Sequence, residues 1–204
     1  MANSPDSIQS DATALPFPHL TLAFYGAKGI GVRTLTYLGP RTRIMSLKGR
    51  FGGDAKTNDA SLQIDADLFL ESTSSIDDYL NHSCKPNSSI DWSNLILSAS
   101  REVLPGEEIT IDYNTCEFDM TALQKDHSFG CQCRSADCIR VVKGFKHLSV
   151  AQKLERRASL SPYLQEMLWL ELLDLRATRK AASGQTISPP GRSWHLTWEH
   201  SEVR

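Results

Sequence analysis

Apolar residues along this chain come in short alternating runs, cut every few positions by glycine, proline or clusters of small polar side chains. Residues 20–24 read as a strand, 25–31 as a glycine-punctuated turn, and 32–38 as a second strand stopped by Gly39-Pro40. A further short strand is predicted over 43–47, after which Gly49, Gly52 and Gly53 mark a loop. Brief apolar pieces at 62–64 and 68–70 flank Asp65-Ala66-Asp67, and 72–80 has room for a helical turn or two. The clearest supersecondary unit is expected from 95–99 and 108–112, two alternating runs with Pro105-Gly106 between them where a turn is needed.

The period changes toward the end of the chain. Leu164, Leu168, Leu172 and Leu175 recur at helical spacing after Ser161-Pro162, an N-cap and a first helical position. This predicts a C-terminal helix whose stripe packs on the core or, alternatively, meets a partner. Many short strands and one late helix make the fold class mostly β, of the α+β kind.

At 204 residues the chain has room for one domain with a proper core and short appendages. Hydrophobic residues at 40% and charged residues at 23% exclude wholesale disorder. No apolar run reaches the roughly 18 residues that span a bilayer, and residues 1–18 carry no basic segment ahead of an apolar one. The expectation is an intracellular protein, nuclear or cytoplasmic, with no membrane partner. A net charge of −2 gives no general pull toward phosphate, so direct nucleic-acid binding is not expected.

Chemistry concentrates in Cys131-Gln132-Cys133-Arg134-Ser135-Ala136-Asp137-Cys138. Thiols this crowded favour metal over disulfides in a reducing compartment. A structural zinc ion takes four ligands, so three cysteines leave one place for Cys84 or Cys116.

Cys84 lies inside Asn81-His82-Ser83-Cys84-Lys85-Pro86-Asn87. Some twenty residues later comes Gly106-Glu107-Glu108-Ile109-Thr110-Ile111-Asp112-Tyr113. This pair resembles the signatures of SET-domain methyltransferases. The Cys131–Cys138 cluster with Phe129 before it and Gly144-Phe145 after it is similar to their post-SET region, and Lys28-Gly29-Ile30-Gly31-Val32-Arg33 is similar to the turn that opens their cofactor site.

The resemblance implies a SET fold of small β-sheets, a knot-like site for S-adenosylmethionine, a post-SET Zn2+ site and a C-terminal helix. Lys28, Gly29, Ile30 and Gly31 would approach the cofactor's methionine part, and Asn81 and His82 its adenine. Phe145 would lie over the cofactor, and Tyr113 would be the catalytic tyrosine beside it. Cys84, Cys131, Cys133 and Cys138 would hold zinc. The implied organisation is an arm over 1–18, a SET domain over 19–115, a zinc-binding region over 116–148, a helical extension over 149–180 and a tail over 181–204, which Trp194 and Trp198 could pin.

Three departures from the family pattern stand out, two of them where the resemblance implies the acceptor and one, at position 78, where it implies the cofactor's charged methionine end. Where lysine-directed relatives commonly carry Tyr-x-Gly-Glu this chain has Leu47-Lys48-Gly49-Arg50, position 78 is Asp where Arg is frequent, and Ile111 replaces an aromatic residue. The basic residues Arg41, Arg43, Lys48 and Arg50 near that edge read as a solvated face or as a grip on an acidic acceptor, while Lys143, Lys146, Lys153, Arg156 and Arg157 are expected on the surface. The resemblance therefore implies a methyltransferase acting on a lysine-bearing protein, a histone or another. A small-molecule acceptor and a catalytically silent binding module are the competing readings.

Overall fold

The computed structural model describes residues 17–53, 61–122 and 126–182. Almost all of the expected arm and tail, including Trp194 and Trp198, lies outside these residues. The strands run in chain order β1 (Leu20–Phe24), β2 (Ile30–Thr34), β3 (Arg43–Ser46), β4 (Arg50–Gly52), β5 (Leu62–Gln63), β6 (Phe69–Glu71), β7 (Asn81–His82), β8 (Ser88–Asp91), β9 (Ile96–Ala99), β10 (Thr110–Ile111), β11 (Phe129–Gly130) and β12 (Val141–Val142), followed by helices α1 (Val150–Glu155) and α2 (Pro162–Ala182).

These strands form five small sheets among the described residues: a β1–β2 hairpin, the orders β3-β9-β8 and β4-β6-β5, a parallel β7–β10 pair and an antiparallel β11–β12 pair. Mostly antiparallel short strands with a late helix agree with the α+β expectation. The hairpin closes through a 3-10 turn at Gly26–Lys28, where the Tyr25 N–H donates to the Gly29 carbonyl at 2.8 Å. One core joins the sheets other than β11–β12. Val32, Ile44, Met45, Leu97, Val103 and Ile109 are all sealed from water, and each such side chain contributes roughly 1.5–3 kcal/mol by burial.

Several elements differ from expectation. The second strand ends at Thr34 because the Thr34 hydroxyl donates to the Thr36 carbonyl at 2.8 Å and turns the chain. The glycine-rich stretch after 47 is partly a strand, since Arg50–Gly52 pairs with Phe69–Glu71. The runs at 95–99 and 108–112 do not pair with each other: β9 lies between β3 and β8, while β10 pairs in parallel with β7. Pro105-Gly106 therefore links separate sheets, with Gly106 at φ 89 and its N–H on the Thr34 carbonyl at 2.8 Å. Asp78 is structural: Ser75 and Asp78 form a capping box on the 3-10 turn Ile76–Tyr79, and the Ser72 hydroxyl donates to the Asp78 carboxylate at 2.5 Å.

The chain divides into two compact units, residues 1–168 and 169–204. In the first, Ser161 caps α2 through the Leu164 N–H, and Leu164 and Leu168 are buried as the stripe predicts. In the second, Trp169, Leu170 and Leu175 are exposed, so the stripe does not continue as a buried face. No helix of the described residues is long and apolar enough to cross a membrane.

Candidate cofactor and metal site

The glycine turn, the Asn81 segment and the strand before Tyr113 meet at one place. The Asn81 amide donates to the Ile30 carbonyl at 3.2 Å and to the Glu108 carboxylate at 2.8 Å. The other Glu108 oxygen forms an ion pair with Lys28, whose ammonium also lies 5.3 Å from the centre of the Tyr25 ring. Gly31 permits this approach, since a Cβ there would stand 2.5 Å from the Asn81 amide nitrogen and 2.7 Å from Glu108 Oε1. Below it Asn87, almost fully buried, donates to the Glu108 carbonyl at 2.7 Å and accepts the Thr110 N–H at 2.9 Å. Backbone and side chain are thus knitted across four segments, although the buried Tyr25 hydroxyl and Arg33 Nε have no hydrogen-bond partner among the described residues.

Sequence reasoning did not single out Glu108 or Asn87. The available signal was that each lies in a motif: Asn87 closes Asn81-His82-Ser83-Cys84-Lys85-Pro86-Asn87, and Glu108 lies within the run Gly106 to Tyr113, just ahead of β10.

Tyr113 sits at the start of a 3-10 turn, Tyr113–Thr115, that Asp112 caps through the Asn114 N–H. Its hydroxyl donates to the Leu80 carbonyl at 2.7 Å, which orients the ring toward the segment before Asn81. Burial pushes the phenol well above its ordinary range, and Cys116, Glu117 and Glu108 add to the rise, so the group is a neutral hydrogen-bond donor. The Tyr113 ring packs edge-on against His82 and Phe129, and those two rings pack edge-on against each other.

His82 connects the tyrosine to the cysteines. Its Nδ1 accepts the Tyr113 N–H at 3.1 Å, which leaves Nε2 to carry the proton, and Nε2 lies 3.3 Å from Cys84 Sγ. Burial lowers its pKa to about 4, with Arg156 and Lys28 lowering it further against the opposing pull of Asp112. The imidazole is therefore neutral at physiological pH.

The ligand atoms of Cys84, Cys131, Cys133 and Cys138 lie within 4.8 Å of one another and could hold a metal ion. Cys84 Sγ is 3.6 Å from Cys131 Sγ and 3.9 Å from Cys138 Sγ. A tetrahedral ion with metal–sulfur bonds near 2.3 Å sets its sulfurs about 3.8 Å apart, so the quartet fits zinc. The Arg140 N–H points at Cys138 Sγ at 3.4 Å, and Ser135 Oγ lies 3.3 Å from Cys133 Sγ, contacts of the kind that orient metal thiolates. Cys116, the other candidate for the fourth place, is buried elsewhere with its thiol on the Asp112 and Tyr113 carbonyls.

Phe145 is 1% exposed, stacked on Phe118 with Lys153 over its ring at 4.8 Å. The aromatic residue beside Tyr113 is Phe129, which keeps 37% of its surface. Lys153 and Arg156 leave the surface, against expectation. Lys153 is buried on Phe145, and Arg156 Nε donates to the buried Asp112 carboxylate at 2.7 Å, tying α1 to the residue before Tyr113. Gly144 closes the segment at φ 95, where a Cβ would stand 2.8 Å from the Phe118 carbonyl.

The family model of the SET domain matches residues 11–114. The chain belongs to the SET-domain family. Among curated relatives it is similar to a histone-lysine N-methyltransferase, H3 lysine-36 specific, of Candida albicans, at 29% identity over 54% of this chain and 14% of the relative. It is also similar to the histone-lysine N-methyltransferase ash1 of Drosophila melanogaster, at 28% identity over 57% of this chain and 6% of the relative. The chain thus spans a small part of these relatives. Among solved structures, KRYPTONITE in complex with mCHG DNA and SAH shares the fold, with a TM-score of 0.51 and 23% identity over 62% of this chain and 29% of that chain.

Proposed function

We propose that this chain is an S-adenosylmethionine-dependent methyltransferase acting on a protein lysine, with an active site completed by a zinc-bound tail. The observation that carries the reading is Tyr113. Its hydroxyl is fixed on the Leu80 carbonyl, and its ring lies against the neutral His82 that reaches Cys84. The histone-lysine methyltransferase relatives support the same chemistry.

Lys28, Gly29, Ile30 and Gly31 are assigned to the methionine end of the cofactor, and Asn81 and His82 to the adenine. Phe129 is assigned as the aromatic cover in place of Phe145. Cys84, Cys131, Cys133 and Cys138 are assigned to zinc, whose task is to hold the Phe129 segment against Tyr113. Bound S-adenosylmethionine would supply a methyl group on a sulfonium, open to in-line displacement by an amine. The protein's part is to position and desolvate that amine, whose reference pKa near 10.4 must be overcome before it can attack. Tyr113, neutral and fixed, helps to orient the acceptor in that space.

One observation favours the alternative of a small-molecule acceptor. Leu47 is buried in the core, and Arg50 points outward to a 3.8 Å pair with Glu71. Neither rebuilds the aromatic wall and acid that lysine-directed relatives carry there. A silent binding module is the weaker reading: the fixed Tyr113 hydroxyl, the bonded Asn81 amide and the gathered cysteine quartet all support an active site.

Incubation of the zinc-loaded protein with methyl-labelled S-adenosylmethionine and core histones or cell extract tests the proposal. A labelled polypeptide is expected, and Tyr113→Phe should lose roughly 100-fold in turnover while keeping cofactor affinity. Label confined to low-mass products would select the small-molecule reading. A Tyr113→Phe variant with unchanged turnover would remove the catalytic assignment.

A further inference from the structure

Two sets of bonds hold the Tyr113 turn. The first is already described: the Tyr113 hydroxyl is fixed by the Leu80 carbonyl and its backbone N–H by His82. The second runs through Asp112, which is buried. Its Oδ1 accepts the Asn114 N–H at 3.0 Å and the Asn114 side-chain amide at 2.7 Å, and its carbonyl accepts the Thr115 hydroxyl at 2.7 Å. Oδ1 also stands 3.5 Å from His82 Nδ1, but that nitrogen accepts the Tyr113 N–H and has no proton to offer.

The other oxygen of Asp112 goes to a segment outside the matched SET domain, which ends at residue 114. Arg156, at the C-terminal end of α1, donates from Nε to Oδ2 at 2.7 Å. Its Nη1 donates to the Gln152 carbonyl at 3.1 Å, which locks the guanidinium to the helix that carries it. The two side chains are 12% and 4% exposed, so water competes little with the pair.

Backbone bonds from the same segment reach the turn and its surroundings. The Ser161 N–H donates to the Thr115 carbonyl at 2.8 Å, and the Ser159 carbonyl accepts the Trp92 indole N–H at 3.1 Å. A capping box between Ser149 and Gln152 fixes the start of α1, and Lys153 packs over the Phe145 ring. Residues 149–161 are thus anchored at Trp92 and Phe145 while they give the Tyr113 turn one guanidinium and one backbone N–H. A charge-assisted bond from an anchored segment is directional, and productive geometry at an active site has to be held to about 0.5 Å.

We propose that residues 149–161 brace the active-site tyrosine and that Arg156 is a positioning residue for methyl transfer: through Asp112 it sets the orientation of Tyr113 without touching donor or acceptor. The inference rests on the methyltransferase reading above. Loosening the brace displaces Tyr113 relative to the reacting atoms, which slows the chemical step and leaves the binding of both substrates in place.

The test uses the zinc-loaded full chain and separates alignment from folding. With core histones and labelled S-adenosylmethionine, Arg156→Met should lower kcat by about 10- to 100-fold, while KM for histones and SAH affinity stay within about twofold. Arg156→Lys, which keeps a cation in reach of Asp112, should recover most of kcat. Combining Arg156→Met with Asp112→Asn removes the stranded charge, so stability should return in part while kcat stays low. Unchanged kcat in Arg156→Met would overturn the proposal. A double variant whose kcat returns together with its stability would do so as well, since Arg156 would then be a structural ion pair and nothing more. A second readout needs no turnover. In protein carrying carbon-13 in its tyrosine rings, the signal that Tyr113→Phe removes should shift or broaden in Arg156→Met and return in Arg156→Lys, with the Tyr25 and Tyr37 signals in place throughout. A Tyr113 signal indifferent to Arg156 would contradict the brace. Failure of the wild type to label any acceptor would count against the methyltransferase reading, while the NMR arm would still decide whether Arg156 positions Tyr113.

Discussion

On one side of Tyr113 the polar groups satisfy one another. Lys28, Asn81, Asn87 and Glu108 form a closed set of bonds that pins the glycine turn to the threaded segment. On the other side the wall is thinner: a sheet of two- and three-residue strands and an exposed Phe51. A site that always takes the same donor molecule can be prebuilt to that extent. A site that meets an acceptor can stay less tightly tied, at the expense of local stability.

The largest expected effect tests whether the first side depends on the tail. Stripping zinc with a chelator, or making Cys138→Ser, should abolish amide-exchange protection across the β11–β12 pair while leaving the β3-β9-β8 sheet protected. Next is Arg156→Met, which strands the buried Asp112 carboxylate beneath Tyr113. A loss of about 3–5 kcal/mol in unfolding free energy is expected, with partial recovery on adding Asp112→Asn. Gly31→Ala drives a methyl into Asn81 and Glu108 and should cost about 1–3 kcal/mol. Calorimetry should show weakened cofactor binding in the same variant.

Stability should also answer to pH through Glu117. Folding raises the Glu117 pKa from the usual 4.5 to about 8, so between these values the folded protein binds more protons than the unfolded one. The stability contributed by this group is therefore full below about 4.5 and is lost as pH rises toward 8. Chemical denaturation across that window should show the decline in wild type and a flatter curve in Glu117→Gln. The smallest effect is expected at the exposed Arg50–Glu71 pair, where Arg50→Ala should change stability by less than about 0.5 kcal/mol.

The two sides were also unequally legible in sequence. The glycine turn, the Asn81 motif and the cysteine quartet show because chemistry fixes their residue types at fixed spacing, and the hairpin over 20–34 shows through its alternation. The β7–β10 pairing did not show. Each strand is two residues long, too short for any period, and the parallel partner is nearly thirty residues away. The different burial of Phe145 and Phe129 was hidden for a different reason. Both flank the cysteines, and only the packing of Phe118 and Lys153 decides which ring is enclosed. Lys153 and Arg156 looked like surface charge because a charge pattern carries no trace of a distant partner such as Asp112. Glu117 was silent for the same reason, since its raised pKa depends on what encloses it.

The central claim is that the cysteine quartet and the threaded Asn81–Tyr113 site work as one unit through His82. Isothermal titration of SAH into zinc-loaded and zinc-stripped protein tests it most directly. The account predicts clear binding with zinc and a loss of about tenfold or more without it. Equal affinity in the two preparations, or no binding in the zinc-loaded one, would contradict it.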